Sequence, residues 1–252
     1  FIIAILLGGS LLLWQAYRNH RDAVQKISFI SNVSHELKTP LTTIRMYAEL
    51  LGEGKITDGE KQQRYLQTII KESQRLTRLV GNVLDFSRLE QGQRSYQRSK
   101  LNLNQMLREL TEQLLPRLNE VDMVLEMNLP DDPIELYSDR DALEQIILNL
   151  FDNGIKYAAT GKKLQLDLER QGNNIRLRLQ DWGPGVPQDQ KEKIFDKFHR
   201  VDNSLTTRQQ GSGLGLSIAR QLAEGLGGSL NFCPIDGSGC CIELSLPATG
   251  GK

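Results

Sequence analysis

Apolar positions in the first third of the chain recur in alternating steps of three and four. Ile27, Ile30, Ser34, Leu37, Leu41, Ile44, Ala48 and Leu51 form one such series, and that stepping lays a narrow stripe along one side of an α-helix. Glycines at Gly52, Gly54 and Gly59 interrupt it, and Leu66, Ile69, Ser73, Leu76, Val80, Val83 and Ser87 resume it. Two long helices joined by a glycine-rich break predict an antiparallel hairpin. Neither stripe has anything else to cover it, so pairing of two hairpins into a four-helix bundle, a homodimer, is expected. After the polar stretch Gln91 to Lys100 the pattern changes to short alternating segments. Val121 to Met127, Ile134 to Tyr137, Leu164 to Leu168, Ile175 to Leu179, Ser229 to Cys233 and Cys241 to Leu246 read as strands. Asn104 to Leu118, Asp139 to Tyr157 and Leu214 to Leu226 read as helices, the second capped by Ser138 or Asp139. The expected fold class is α plus α/β, a helical hairpin followed by an α/β sandwich.

Ahead of the hairpin, Phe1 to Leu13 is almost wholly apolar and is followed by Trp14, Tyr17, Arg18, His20 and Arg21. Aromatic then basic residues mark the cytoplasmic boundary of a membrane span. A full span needs ~20 apolar residues, so this run is expected to be the tail of a transmembrane helix, with the rest of the chain cytoplasmic at the inner (plasma) membrane. A buried core helix or a signal-peptide remnant are the alternatives. With 252 residues the chain has room for one large domain or two small ones. Its 31 basic and 31 acidic residues cancel, which leaves no overall field for direct nucleic-acid binding. Cys233, Cys240 and Cys241 are too few and too clustered for a disulfide framework or a zinc pattern, and are expected as reduced thiols.

Candidate chemistry begins on the first helix. His35 neighbours the stripe residue Ser34, so it should project near the bundle surface. A neutral imidazole is a competent nucleophile near neutral pH. Glu36 can accept a proton from the other ring nitrogen. Thr39, one turn on, shares a face with His35 and can orient a water that hydrolyses a phosphorylated partner. Pro40 removes a helix hydrogen bond to the carbonyl of Glu36 and should bend the helix there. Taken alone, a lone exposed histidine on a bundle helix is ordinary solvated surface.

In the second region Asn149 and Asn153 share a helix face, with Lys156 and Tyr157 a turn later. Two amide oxygens suit a magnesium ion that bridges phosphates, and Lys156 can balance phosphate charge; ordinary surface polarity is the alternative. Asp181, Gly183 and Gly185 end a predicted strand, where a carboxylate can accept from an adenine amino group and glycines admit the base. An ordinary turn has the same composition. Gly211, Gly213, Leu214, Gly215 and Leu216 run into a helix, so backbone amides there can cradle an anion. The loop does not open an early strand-helix unit as a dinucleotide fingerprint would. Between these, Val201 to Gln210 reads as a mobile lid, and Arg200 can reach a terminal phosphate or be a solvated loop arginine. His199 is expected to be structural.

The strings Phe29 to Leu41, Asn149 to Tyr157, Asp181 to Val186, Ile194 to Arg200 and Gly211 to Leu216 resemble, in order, the phosphoacceptor, asparagine, first glycine, phenylalanine and second glycine boxes of the sensor histidine kinases. Gly154 and Trp182 stand where an alanine and a small polar residue are commoner. The resemblance implies a Bergerat-type ATP-binding sandwich, shared with gyrase-type ATPases, behind a dimerising hairpin. It implies His35 as the phosphorylated residue, Glu36 as its acid/base partner and Thr39 as the phosphatase residue. ATP and Mg2+ would be bound by Asn149, Asn153, Lys156, Tyr157, Asp181, Gly183, Gly185, Arg200 and the second glycine box, and a response regulator receiver domain would take the phosphoryl group. The implied domains are 1–17, a membrane helix end; 18–26, a linker; 27–93, dimerisation and phosphotransfer; and 94–250, catalysis. A gyrase-like ATP hydrolase has no need of His35, Glu36 and Thr39. A module that mainly dephosphorylates or sequesters its regulator stays open through Thr39.

Overall fold

The computed structural model describes residues 2–54, 56, 58–158, 161–197, 199, 201, 213–235 and 238–248. The chain divides into two compact units, Phe1–Gly81 and Asn82–Lys252.

In the first unit α1, Ile2–Gly52, runs as one helix through Pro40. Helix α2, Gly59–Glu90, begins in this unit and ends in the second. Asp58 starts α2, its Oδ1 accepting the amides of Glu60 at 3.0 Å and Lys61 at 3.3 Å, donors that a helix start otherwise leaves unpaired. The two helices meet near their turn through Tyr47 and Tyr65, ring centroids 4.6 Å apart. Val33, Glu36, Pro40 and Leu79 are buried in the unit. The heptad stripe is not: Ile30 is 63% exposed, Leu41 58% and Leu66 52%. Among the described residues no helix is long and apolar enough to cross a membrane.

The second unit opens with the last turns of α2 and continues with β1 (Arg98–Asn102), α3 (Leu103–Asn119), β2 (Val124–Asn128), β3 (Glu135–Asp139), α4 (Arg140–Tyr157), β4 (Lys163–Gln171), β5 (Asn174–Asp181), α5 (Gly215–Gly225), β6 (Ser229–Phe232) and β7 (Cys240–Pro247). Five strands form one sheet in the order β2-β4-β5-β7-β6, parallel between β2 and β4 and antiparallel elsewhere. Along β4 and β5 alternate residues are buried: Leu164, Leu166 and Leu168, then Ile175, Leu177 and Leu179. That period of two gives the sheet one apolar face, and the helices supply Leu107, Ile146, Phe151 and Ile218 to the same core. Of the two cap candidates Asp139 takes the role, Oδ1 accepting from Ala142 N at 2.8 Å and Oδ2 from Gln97 N at 2.6 Å.

Two features depart from what the sequence pattern shows. The polar stretch Gln91 to Lys100 gives no strand signal, yet β1 starts at Arg98 and pairs antiparallel with β3, Leu101 opposite Leu136. Only Leu101 of β1 is buried, so the strand is made by its partner's hydrogen bonds and leaves little alternation to read. The cysteines are not all free thiols either. Cys233 and Cys241 form a disulfide across the β6–β7 hairpin, with Cα atoms 5.2 Å apart, and Cys240 remains unpaired. Antiparallel pairing brings them together in space, which a count of cysteines does not register.

Candidate functional site

His35 is exposed on α1, as its place beside the stripe predicts, while Glu36 is buried. Successive helical residues point about 100° apart, so the two side chains leave the helix in different directions. Glu36 Oε1 has no hydrogen-bond partner among the described residues, a costly state for a buried carboxylate unless another group meets it. The Thr39 hydroxyl donates to the His35 carbonyl at 3.2 Å, one turn back. This fixes Thr39 on the His35 side of the helix.

In the second unit α4 carries Asn149, which lies beside the start of α5, and Asn153 one turn on. The Asn149 side chain is buried, and a Cβ built on Gly215 would stand 3.4 Å from its Oδ1. The start of α5 thus lies against the Asn149 side chain. The Nδ2 atoms of Asn149 and Asn153 are both buried without hydrogen-bond partners among the described residues. Orphaned amides side by side on one helix turn call for a ligand or bound water. Lys156 and Tyr157 are partly exposed on the last turn, with the ammonium 6.0 Å from the tyrosine ring centroid. At Gly154, where alanine is commoner in the family, an added Cβ would come 2.8 Å from Leu164 Cδ2. The helix is packed close to the sheet there.

Asp181 ends β5. Its Oδ1 accepts from Gly183 N at 2.9 Å and from Cys240 N at 3.1 Å, and burial raises its pKa above the ordinary carboxylate value, against the lowering effect of those two amides. A Cβ on Gly183 would meet the Ala158 Cα and the Tyr157 carbonyl, each at 2.9 Å, and Gly185 has φ +77°, in the left-handed region. Both glycines are required where they stand. Lys163 lies over the Trp182 ring at 4.5 Å from its centroid.

Gly213 (φ +68°) and the fully buried Leu214 lead into α5 at Gly215 and Leu216, so the second glycine box does open a helix. Arg200, Gly211 and most of the expected lid, 202–210, lie outside the described residues. Phe195 is buried with the Arg220 guanidinium 4.8 Å over its ring, and His199 Nε2 meets Gln190 Oε1 at 2.8 Å. The last turn of α2 also joins this unit: Glu90 Oε1 accepts from Lys197 Nζ at 2.6 Å and Gln221 Nε2 at 3.1 Å. Sequence reasoning missed these partners of Glu90, and missed Cys240 N as a donor to Asp181. The latter depends on the β5–β7 register, which sets Asp181 opposite Cys240, and no local pattern announces it.

The family model of the His Kinase A (phospho-acceptor) domain matches residues 25–92, and that of the histidine kinase-, DNA gyrase B- and HSP90-like ATPases matches residues 138–250. The sensor histidine kinase WalK of Bacillus subtilis (strain 168) is 31% identical over 226 residues, a match that takes in 88% of this chain and 37% of that protein. The chain thus spans little more than a third of that relative. The crystal structure of full-length ShkA in complex with AMPPNP is similar at a TM-score of 0.64 and 25% identity, over 86% of this chain and 45% of that one. Histidine kinase ThkA, in a crystal structure with the response regulator protein TrrA, shares the fold at a TM-score of 0.64 and 21% identity, over 94% of this chain and 66% of that one.

Proposed function

The chain belongs to the sensor histidine kinases of two-component systems, and from that premise we propose that it phosphorylates His35 with ATP and passes the phosphoryl group to an aspartate on a response regulator. The observation that carries the reading is the pairing of two unfinished sites. One is an exposed imidazole on a helix. The other is a set of groups on the α/β unit: the unpartnered amides of Asn149 and Asn153 on α4, Asn149 beside the α5 start at Gly215, and Asp181 held by backbone donors at the end of β5.

Each residue then has a task. Asp181 accepts from the adenine amino group, with Gly183 and Gly185 admitting the base. The amides at the start of α5, from Gly213 to Leu216, meet phosphate oxygens. Asn149 and Asn153 fit a magnesium site of the kind that leaves most coordination to phosphates and water. Such an ion would neutralise charge on the phosphates, and Lys156, Tyr157 and Arg200 complete the nucleotide's surroundings. Transfer depends on positioning and charge stabilisation, and the exposed His35 imidazole is the acceptor. Glu36 is the acid/base partner for that imidazole, and the unsatisfied Oε1 is consistent with a group that gains its partner during the reaction. Thr39 orients a water for regulator dephosphorylation, so Thr39→Ala should lose that activity and keep autophosphorylation. Domain limits of 27–93 and 94–250 follow the same division of labour. The exposed stripe is the homodimer seam, and the apolar N-terminal run continues a membrane helix that holds the kinase at the inner membrane, facing the cytoplasm.

The test is incubation of the chain with γ-labelled ATP and magnesium, followed by acid and alkali treatment. Label that acid removes and alkali spares is expected for a phosphohistidine. Acid-stable label, or ATP hydrolysis with no label retained, would overturn the reading.

A further inference from the structure

The β6–β7 hairpin carries chemistry that the kinase reading does not use. Cys233, just past β6, donates its amide to the Cys241 carbonyl at 2.9 Å, and the two sulfurs are bonded. The next residue back along β7, Cys240, is the last partner of β5 in the register and gives its amide to Asp181 Oδ1 at 3.1 Å. Gly239 precedes it with φ +120°, so close to the Asp181 carbonyl that a Cβ would overlap it, and a Cβ on Gly185 would stand 2.9 Å from the Gly239 carbonyl. The strand end that bears the disulfide is therefore the same backbone that braces the turn Asp181 to Gly185.

The two paired sulfurs are separated from the third. The Cys240 thiol is half-buried, and desolvation pushes its pKa up, so it stays protonated and is a poor competitor for either of the others. In a reducing compartment a disulfide-forming pair is ordinarily transient and redox-responsive instead of structural.

We propose that Cys233 and Cys241 are a reversible thiol oxidation site that takes a peroxide as oxidant, and that the state of this pair sets how firmly the Cys240 amide holds the Asp181 carboxylate. The thiolate of one cysteine attacks a peroxide oxygen and breaks the O–O bond, giving a sulfenic acid and one molecule of water from hydrogen peroxide. The second thiol attacks that sulfur, forms the S–S bond and releases the hydroxyl as a second water. Two electrons and two protons pass from the thiols to the peroxide, and a dithiol reductant returns them by exchange. The bond ties the ends of β6 and β7 together. Its loss lets the strand end fray first at the Cys240–Asp181 rung, the outermost pair of β5 and β7.

The link to nucleotide rests on the reading of Asp181 as the adenine acceptor. The test uses the whole chain in three forms: peroxide-treated, dithiothreitol-reduced, and Cys241→Ser. Alkylation after denaturation should find one free cysteine in the first form and three in the second. Amide exchange in the segment 239–242 should be several-fold slower in the oxidised protein, and ATP should bind roughly threefold to tenfold more tightly, the scale of part of one charge-assisted hydrogen bond. The Cys241→Ser chain should match the reduced protein with or without peroxide. Three alkylated cysteines after peroxide would overturn the thiol site. Equal exchange, or equal ATP affinity, in the oxidised and reduced proteins would overturn the coupling to Asp181. Failure of every form to bind ATP would instead sink the nucleotide reading, while alkylation still decides the thiol site and exchange its hold on the Cys240 amide.

Discussion

The α/β unit buries Leu107, Ile146, Phe151, Leu166 and Ile218 almost completely, whereas the hairpin leaves Ile30, Leu41 and Leu66 more than half exposed. The same residue types close a core within one chain in the first case and present an unfilled seam in the second. Chemistry divides the same way. Asp181 is half-buried, with its pKa raised and its carboxylate held by two amides, while His35 stands open on a helix surface. The difference teaches that the α/β unit closes its apolar core within one chain, whereas the hairpin leaves apolar surface that only a further partner can cover.

The largest effect that would sharpen this contrast is on folding. Phe151→Ala, at a fully buried site, should destabilise the α/β unit by about 3–5 kcal/mol, whereas Leu41→Ala should cost a dilute single chain less than about 1 kcal/mol. Urea denaturation of each variant measures both; similar losses would break the contrast. Next in size is association. Leu41→Asp should weaken self-association by about 10- to 100-fold for each seam position made polar, read by sedimentation across concentrations. A variant that stays dimeric at wild-type strength would place the seam elsewhere.

Smaller is the pH dependence of nucleotide binding. The folded-state pKa of Asp181 is raised by burial, so on acidification its carboxylate is protonated at a higher pH than that of an unfolded aspartate. Affinity for ATP should fall as pH drops through that raised value, and calorimetry on Asp181→Asn, already weakened, should lack this limb. The stability linkage has the opposite sense: burial disfavours the ionised form, so Asp181's unfavourable contribution to folding is relieved as pH falls through the raised folded value. The smallest effect belongs to Gly154→Ala. A gain of up to about 1 kcal/mol in helix propensity is opposed by the approach to Leu164 Cδ2 at 2.8 Å, the movable end of a side chain. A change in melting temperature of no more than a few degrees is expected.

How far the sequence announced these features follows from what each depends on. The hairpin was legible because seven-residue stepping is local, and most strands of the main sheet were legible because their buried faces alternate, as in Leu164, Leu166 and Leu168. Strand β1 was not, since Arg98, Ser99 and Lys100 carry no apolar signal and the strand exists through pairing with β3. The first glycine box was legible because Gly183 and Gly185 answer to steric needs of nearby backbone. The second donor to Asp181 and the Cys233–Cys241 bond were hidden because both arise from register between strands distant or offset in sequence.

The central claim is that one reaction is divided between His35 and the Asp181 site, and the most direct measurement applies the same two assays, ATP affinity and incorporation of γ-phosphoryl label, to His35→Gln and Asp181→Asn. The account predicts that His35→Gln binds ATP as the wild type does and takes up no label, and that Asp181→Asn loses about tenfold or more in affinity and loses label with it. Label of undiminished acid-labile character on His35→Gln would contradict it.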